Sequence, residues 1–241
     1  MGLQRITIAP EQFHRDHLTL TVEQAHYLRQ VLRLRSGDQF LALSPQGGLW
    51  RSALTEESHL ATILAPYSDF PELWLQTTLL VALPKTGFDE VVRQSVELGV
   101  KAIVPVLSER SLLQPSEQKQ KRWQRIAQEA AEQCERNCVP TLSPPLPLAT
   151  ALALIPSGQA RYIGVTRRSA PTLLQVLTAL TSDRDESPVN LAIVTGPEGG
   201  WTEAEVEQAV AQGYQPISLG PLILRAVTAP IAAMSVVMAM G

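Results

Sequence analysis

Cysteine is nearly absent. Cys134 and Cys138 are the only two in 241 residues, too few for the disulfide framework of a small secreted domain. Histidine is sparse as well: His14, His17, His26 and His59 are scattered over the first quarter of the chain, so no metal site is expected. The segment AAEQCERNC sets its thiols four apart, which on a helix places both on one face, and ordinary, partly buried thiols are the expectation. An excess of positive charge is also missing, since 20 Lys plus Arg against 23 Asp plus Glu give −3. That excludes a basic nucleic-acid coat. The deficit falls on lysine, with four against 16 arginines, and the planar fork of arginine suits phosphates and base edges, so RNA stays open as a partner. The longest uncharged stretch, Asn137 to Ala160, has the length of a membrane span. Pro140, Pro144, Pro145, Pro147 and Pro156 interrupt it, and a spanning helix is not expected. The first residues, MGLQRITIAPEQFHRDH, carry charges where a secretory signal needs an apolar run. The expected location is the cytoplasm.

With 45% hydrophobic and 18% charged residues, the composition is that of a globular protein. Its organisation changes near residue 70. Before it, the short apolar runs RITI, HLTLT, DQFLAL, LWRSALT and HLATILAP, with a turn signal at Pro45-Gln46-Gly47-Gly48, predict a small, mostly β domain over 1–70. After it, strands are predicted at Leu73–Leu83, Ala102–Leu107, Arg161–Val165, Leu191–Thr195 and Pro216–Leu219. Helices are predicted at Phe88–Leu98, Glu117–Glu135, Pro171–Leu180 and Glu203–Gln212. This alternation over 71–241 implies an α/β domain with a mainly parallel sheet covered on both faces. Ligands of such sheets sit beyond the carboxyl ends of the strands.

Two of those strand ends are chemically distinctive. Thr195-Gly196-Pro197-Glu198-Gly199-Gly200-Trp201 leads into Thr202-Glu203-Ala204-Glu205, in which Thr202 and Glu205 form a capping box. Glycines there let the backbone approach a ligand, and the spacing matches neither GxGxxG nor GxxxxGK[ST]. A plain turn is the alternative. The second segment, Leu219-Gly220-Pro221-Leu222-Ile223-Leu224-Arg225-Ala226-Val227-Thr228-Ala229, holds one arginine among apolar residues. Such a cation needs an acceptor, either a structural carboxylate or a ligand. From Ala226 onward the chain is apolar almost all round, so this segment is expected to be covered on more than one side.

GPEGG before a capped helix, LGPLILRAVTA, VELGVKAIVPVLSERS, RWQRIAQEAAEQCERNCVP and HYLRQVLRLRSGD together resemble the bacterial 16S ribosomal RNA uridine N3-methyltransferases of the RsmE type, in the SPOUT superfamily. The resemblance runs from about Arg5 to Ala229. It implies a PUA-like β-barrel followed by an α/β domain with a C-terminal trefoil knot that holds S-adenosyl-L-methionine, a feature topology rules alone argue against. The cofactor residues it implies are Gly164, Val165 and Thr166; Thr195, Gly196, Pro197, Glu198, Gly199 and Gly200; and Leu219, Gly220, Ile223, Leu224, Arg225, Ala226 and Thr228. The implied partners are 16S rRNA of the small ribosomal subunit and a second copy of the chain, with Met234→Glu expected to weaken the dimer. Uracil N3 bears an imide proton, so a cation near O2 or O4 favours the reactive anion. Arg225 is the first candidate, with Arg110 and Arg136 behind it, and Glu198 could accept the proton, orient an arginine or cap the following helix. For RNA contact the candidates are Arg29, Arg33 and Arg35, with a second basic cluster at Lys119, Lys121, Arg122 and Arg125. Where the family motif reads LGPRILRTETA, this chain has Leu222, Ala226 and Val227. That difference keeps two alternatives in view, a ribose 2′-O-methyltransferase of the same superfamily and a non-catalytic RNA-binding protein on this scaffold.

Overall fold

The computed structural model describes residues 3–45, 48–67, 72–111, 114–182 and 187–240. The predicted boundary at 70/71 and the middle of the predicted turn, Gln46 and Gly47, lie outside the described residues. The chain divides into two compact units, one running to Glu72 and including Gln128–Val139, the other made of Leu73–Ala127 and the chain from Pro140 onward.

In the first unit, β1 (Arg5–Thr7), β2 (His17–Thr19), β3 (Gln39–Leu43), β4 (Leu49–Leu54) and β5 (Leu60–Tyr67) form one sheet in the order β1-β3-β4-β5-β2. Each of the five apolar runs supplies one strand. Only β1 and β3 pair in parallel. Alternate residues such as Ile6, Leu18, Phe40, Ala42, Leu54 and Ala61 share a core, as the two-residue period of strands requires. Ala25 and Leu28 close over it from α1 (Val22–His26), whose capping box joins Thr21 to Gln24, and from the π-helical turn Tyr27–Val31 that follows.

The second unit is a sheet in which every pairing is parallel. Its strands are β6 (Leu75–Ala82), β7 (Ala102–Leu107), β8 (Thr141–Leu142), β9 (Leu146–Pro147), β10 (Ala160–Gly164), β11 (Val189–Thr195) and β12 (Gln215–Ile217), in the order β12-β10-β11-β6-β7-β8, with β9 also on β7. The carboxyl halves of β6 (Leu79 to Ala82) and β11 (Leu191 to Val194) are continuous buried apolar runs, as central parallel strands are. Pro216 is tolerated because β12 is an edge strand. The helices are α2 (Phe88–Glu97), α3 (Glu117–Gln133), which from Gln128 on belongs to the first unit, α4 (Leu148–Ala153), α5 (Leu173–Thr181), α6 (Glu203–Ala211) and α7 (Thr228–Ala239).

Three expectations change. The uncharged, proline-rich stretch, for which no element is predicted, holds α4, which packs Leu148, Ala151 and Leu152 onto the sheet. Among the described residues no helix is long and apolar enough to cross a membrane. Second, α3 stops at Gln133 and Glu135 adopts a left-handed φ of 63°, so Cys134 and Cys138 do not share a helical face. Burial pushes the Cys138 thiol up to about 11, and no three His, Cys, Asp or Glu side chains converge among the described residues. Third, Met234 is fully buried within a single chain, so Met234→Glu disrupts the protomer core and is not a clean probe of an interface.

Tyr214 carries a pH prediction. Its hydroxyl donates to the Leu152 carbonyl at 3.0 Å, and burial pushes the phenol up to about 12 from 10.0. Between these values the unfolded chain has released a proton that the folded chain retains, so this contribution to stability is complete below pH 10 and is lost as pH rises towards 12. Urea midpoints should fall across that window, and Tyr214→Phe should flatten the fall. An unchanged slope in the variant would contradict this.

Candidate functional site

Because β12, β10 and β11 are adjacent and parallel, their carboxyl ends share one edge of the sheet. The loops leaving those ends enclose a cavity of about 540 Å³. Gly164, Val165 and Thr166 come from the first loop, Thr195, Gly196, Pro197, Gly199 and Gly200 from the second, and Leu219, Gly220, Ile223, Leu224 and Ala226 from the third. Thirteen of the residues expected to grip a cofactor thus meet on one cavity.

The loops are held by specific contacts. Trp201 donates its indole N–H to the Gly164 carbonyl at 3.1 Å, tying the first loop to the second. A Cβ on Gly196 would lie 3.1 Å from the same indole, so this glycine answers a close approach, while Gly200 is required by its φ of 69°. Arg110 lines the cavity and donates from Nη1 to the Gly199 carbonyl at 2.6 Å. Below the glycine loop the capping box forms as the spacing predicts. Thr202 Oγ1 accepts from the Glu205 amide at 3.3 Å, and Glu205 Oε2 accepts from the Thr202 amide at 2.8 Å. The second oxygen of this buried carboxylate accepts from the Glu109 amide at 2.8 Å.

Other candidates lie off the cavity wall. Glu198 accepts from the Lys85 amide at 2.9 Å; it fastens the β6–α2 connection to the glycine loop and leaves the cap to Thr202. Arg225 is exposed, and its carbonyl accepts from the amides of Thr228 and Ala229, both at 2.9 Å, at the start of α7. No carboxylate among the described residues pairs with its guanidinium. Thr228 belongs to α7. Arg136 lies elsewhere, in the first unit, where it is 8% exposed and holds Glu72 at 2.6 Å. A buried guanidinium of this kind serves the fold, so we leave Arg136 out of the site. Of the first basic cluster, Arg29 gives its guanidinium to the carbonyls of Thr55, Glu57 and Ser58, whereas Arg33 and Arg35 are exposed.

The cavity wall also takes in Arg167 and Leu222, which lie within the loops the resemblance implies at Gly164 to Arg167 and Leu219 to Thr228, and Arg168, which lies beyond them. Arg167 has a left-handed φ of 58° that no local motif announces, and Leu222 is 76% exposed. Val227 packs against the β6–α2 connection, where a Cβ on Gly87 would fall 2.9 Å from its Cγ1. The one local clue was Trp201, directly after the glycine run.

The chemistry of the cavity suits a mixed polar and apolar ligand. Its volume falls within the usual range of small-molecule sites, about 300–1,000 Å³. Val165, Pro197, Leu219, Ile223 and Leu224 supply apolar wall. Thr195 lines the cavity, and its buried hydroxyl has no hydrogen-bond partner among the described residues, a capacity that a bound ligand can use. Among the described residues, the amides of Ile223 and Leu224 find no protein acceptor.

Comparison with known proteins agrees with this geometry. An RNA methyltransferase domain model matches residues 71–238 and an RNA methyltransferase PUA domain model matches residues 20–63. The chain is 44% identical to ribosomal RNA small subunit methyltransferase E of Synechocystis over 96% of its length and 76% of that protein's. The chain belongs to the ribosomal RNA small subunit methyltransferase E family. It is 30% identical to the Bacillus subtilis member, over 91% of this chain and 88% of the relative. The crystal structure of the Neisseria gonorrhoeae family member bound to S-adenosyl methionine superposes with a TM-score of 0.83 at 32% identity, covering 99% of this chain and 98% of that one. The family match extends through both units, so the methyltransferase E fold accounts for the sheet of the first unit as well as the cavity of the second.

Proposed function

We propose that this chain transfers a methyl group from S-adenosyl-L-methionine to N3 of a uridine in 16S rRNA of the small ribosomal subunit, in the cytoplasm. The observation that carries the proposal is the three-loop cavity with its unpartnered Thr195 hydroxyl, in a chain of this family. In this reading residues 71–241 hold the cofactor, in a knotted arrangement of the three loops, and residues 1–70 contribute to RNA binding.

Thr195 and the backbone of Gly164 to Thr166, Gly196 and Leu219 to Leu224 would hold the cofactor's polar groups, against the apolar wall. When bound, S-adenosyl-L-methionine supplies a methyl group already activated by its sulfonium. The remaining work falls to the protein. The nucleobase must leave its pair and stack to expose N3, and the exposed Leu222 and Ile223 offer it an apolar surface at the rim. N3 gives up its imide proton to solvent water, and Arg225 stabilises the anion left behind from O2 or O4. Closing the site around both reactants brings them into line and excludes water. Glu198 positions loops through the Lys85 amide, and Arg110 fixes the glycine loop at Gly199.

The test is incubation of unmethylated small subunits, and of naked 16S rRNA, with methyl-labelled cofactor, followed by nucleoside digestion. Label in 3-methyluridine supports the proposal. Label in 2′-O-methyluridine, or none under conditions where a related enzyme works, contradicts it.

A homodimer belongs to the same reading. Helix α7 is apolar all round, with Pro230, Ala233, Met234 and Val237 buried and Met238 48% exposed. Met238 is the exposed large apolar side chain that this helix would offer to a second copy of the chain. Met238→Glu should halve the mass seen by light scattering while the circular dichroism spectrum stays unchanged. A variant keeping the dimer mass, or a wild type already monomeric, removes the dimer.

A further inference from the structure

We propose that the groove at the start of α3 binds the RNA sugar-phosphate backbone beside the nucleotide being modified. This inference rests on the RNA methyltransferase reading above and adds a substrate subsite to it.

The groove encloses about 600 Å³ and is lined by Lys119, Lys121, Arg122 and Arg125, with Asp89 as the one carboxylate among the described residues that line it. These four cations come from two turns of one helix, where residues three and four apart share a face. The carboxylate offsets one of them, Arg122. Asp89 is already held by Arg122 Nη2 at 2.7 Å and by the indole N–H of the buried Trp123 at 2.8 Å. It acts as a brace that fixes Arg122, whose side chain remains 62% exposed while paired. The positive end of the α3 dipole lies at the same place and adds to the potential. A concave surface with this surplus of cations takes a polyanion, and a line of phosphates meets several cations at once.

Its position links it to the reaction. Asp89 lies in the first turn of α2, two residues after Gly87, and Gly87 is the residue packed against Val227 in the loop that carries Arg225. A strand with its target base at that loop can therefore continue along the groove. Contacts of this type position the substrate without reading its sequence. The first-unit cluster is weaker by comparison, because Arg29 is committed to three carbonyls.

The test uses the full chain with Lys119→Ala/Lys121→Ala and Lys119→Glu/Lys121→Glu, leaving Arg122 and its brace intact. Binding of a fluorescent single-stranded 16S fragment is measured across a salt series, and methyl transfer is measured with cofactor saturating. Each lost phosphate contact should lower the log–log salt slope by about 0.7, so the alanine pair should lower it by about 1.4. KM for RNA should rise roughly tenfold in the alanine pair and further in the glutamate pair, with kcat and cofactor affinity unchanged. Slope and KM unchanged in the glutamate pair would overturn the proposal. So would a loss confined to kcat, or polyglutamate competing as well as RNA, which would assign the groove to an acidic polypeptide. A wild type that transfers no methyl yet shows the slope change would sink the enzymatic reading and leave the groove standing. Normal transfer with an unchanged slope would do the reverse.

Discussion

Arg225→Ala should lower kcat by about 10²–10³, the loss typical of removing one preorganised donor to a developing anion, and should leave cofactor affinity nearly unchanged. Both halves follow from position. The guanidinium is exposed and unpaired among the described residues, so it is available to a nucleobase, and Arg225 does not line the cofactor cavity. Its carbonyl opens α7, but that contact is backbone and survives truncation of the side chain. Arg225→Lys should recover part of the rate, since it keeps the charge and loses the fork. Single-turnover kinetics with saturating cofactor and RNA give the number. A kcat within threefold of wild type in the alanine variant would show that no anion is stabilised there.

The second large effect is on stability. Trp123→Ala should cost about 3–5 kcal/mol, the usual range for deleting a buried tryptophan. The ring is fully buried, its centroid lies 4.5 Å from that of Phe88 in an edge-on arrangement, and its indole N–H donates to Asp89 at 2.8 Å. Truncation empties the space between α2 and α3 and leaves Asp89 to Arg122 alone. Trp123→Phe should cost less, because most of the volume stays and one charge-assisted hydrogen bond goes. Urea unfolding checks both variants. A loss below about 1 kcal/mol for the alanine variant would place it with ordinary surface substitutions and contradict the packing described.

The strands and helices legible in the sequence are those whose signals are local. Ala102–Leu107 is an apolar run after the stop at Gly99 and appears with the same bounds. Helix α6 begins where the Thr202–Glu205 box places it. The misses depend on distant partners. Leu148, Ala151, Leu152 and Ile155 recur at helical spacing, but the run is short and set among prolines, so the helix is fixed by the sheet on which that face packs. The end of α3 is set by the left-handed turn at Glu135, not by a glycine or proline.

The candidate site divides in the same way. Glycines reveal where a backbone must come close, so two of the three loops stand out, and the family resemblance supplies the first. Arginines are harder, since a guanidinium is used wherever its partners happen to fold. Arg136 goes to Glu72, Arg29 to three carbonyls and Arg110 to Gly199, while among the described residues Arg33, Arg35 and Arg225 stay exposed. Val227, which replaces the family's glutamate, packs on Gly87, so an apolar residue is accommodated there by contact with a neighbouring backbone.

The central claim is that three loops at one sheet edge cradle the methyl donor and leave Arg225 facing the incoming base. Its most direct test is a crystal structure of the chain grown with S-adenosyl-L-methionine. Density for the donor among Gly164–Thr166, Thr195–Gly200 and Leu219–Ala226, with the Thr195 hydroxyl bonded to it, is the predicted result. A donor lodged anywhere else, or an empty cradle at saturating concentration, would contradict the account.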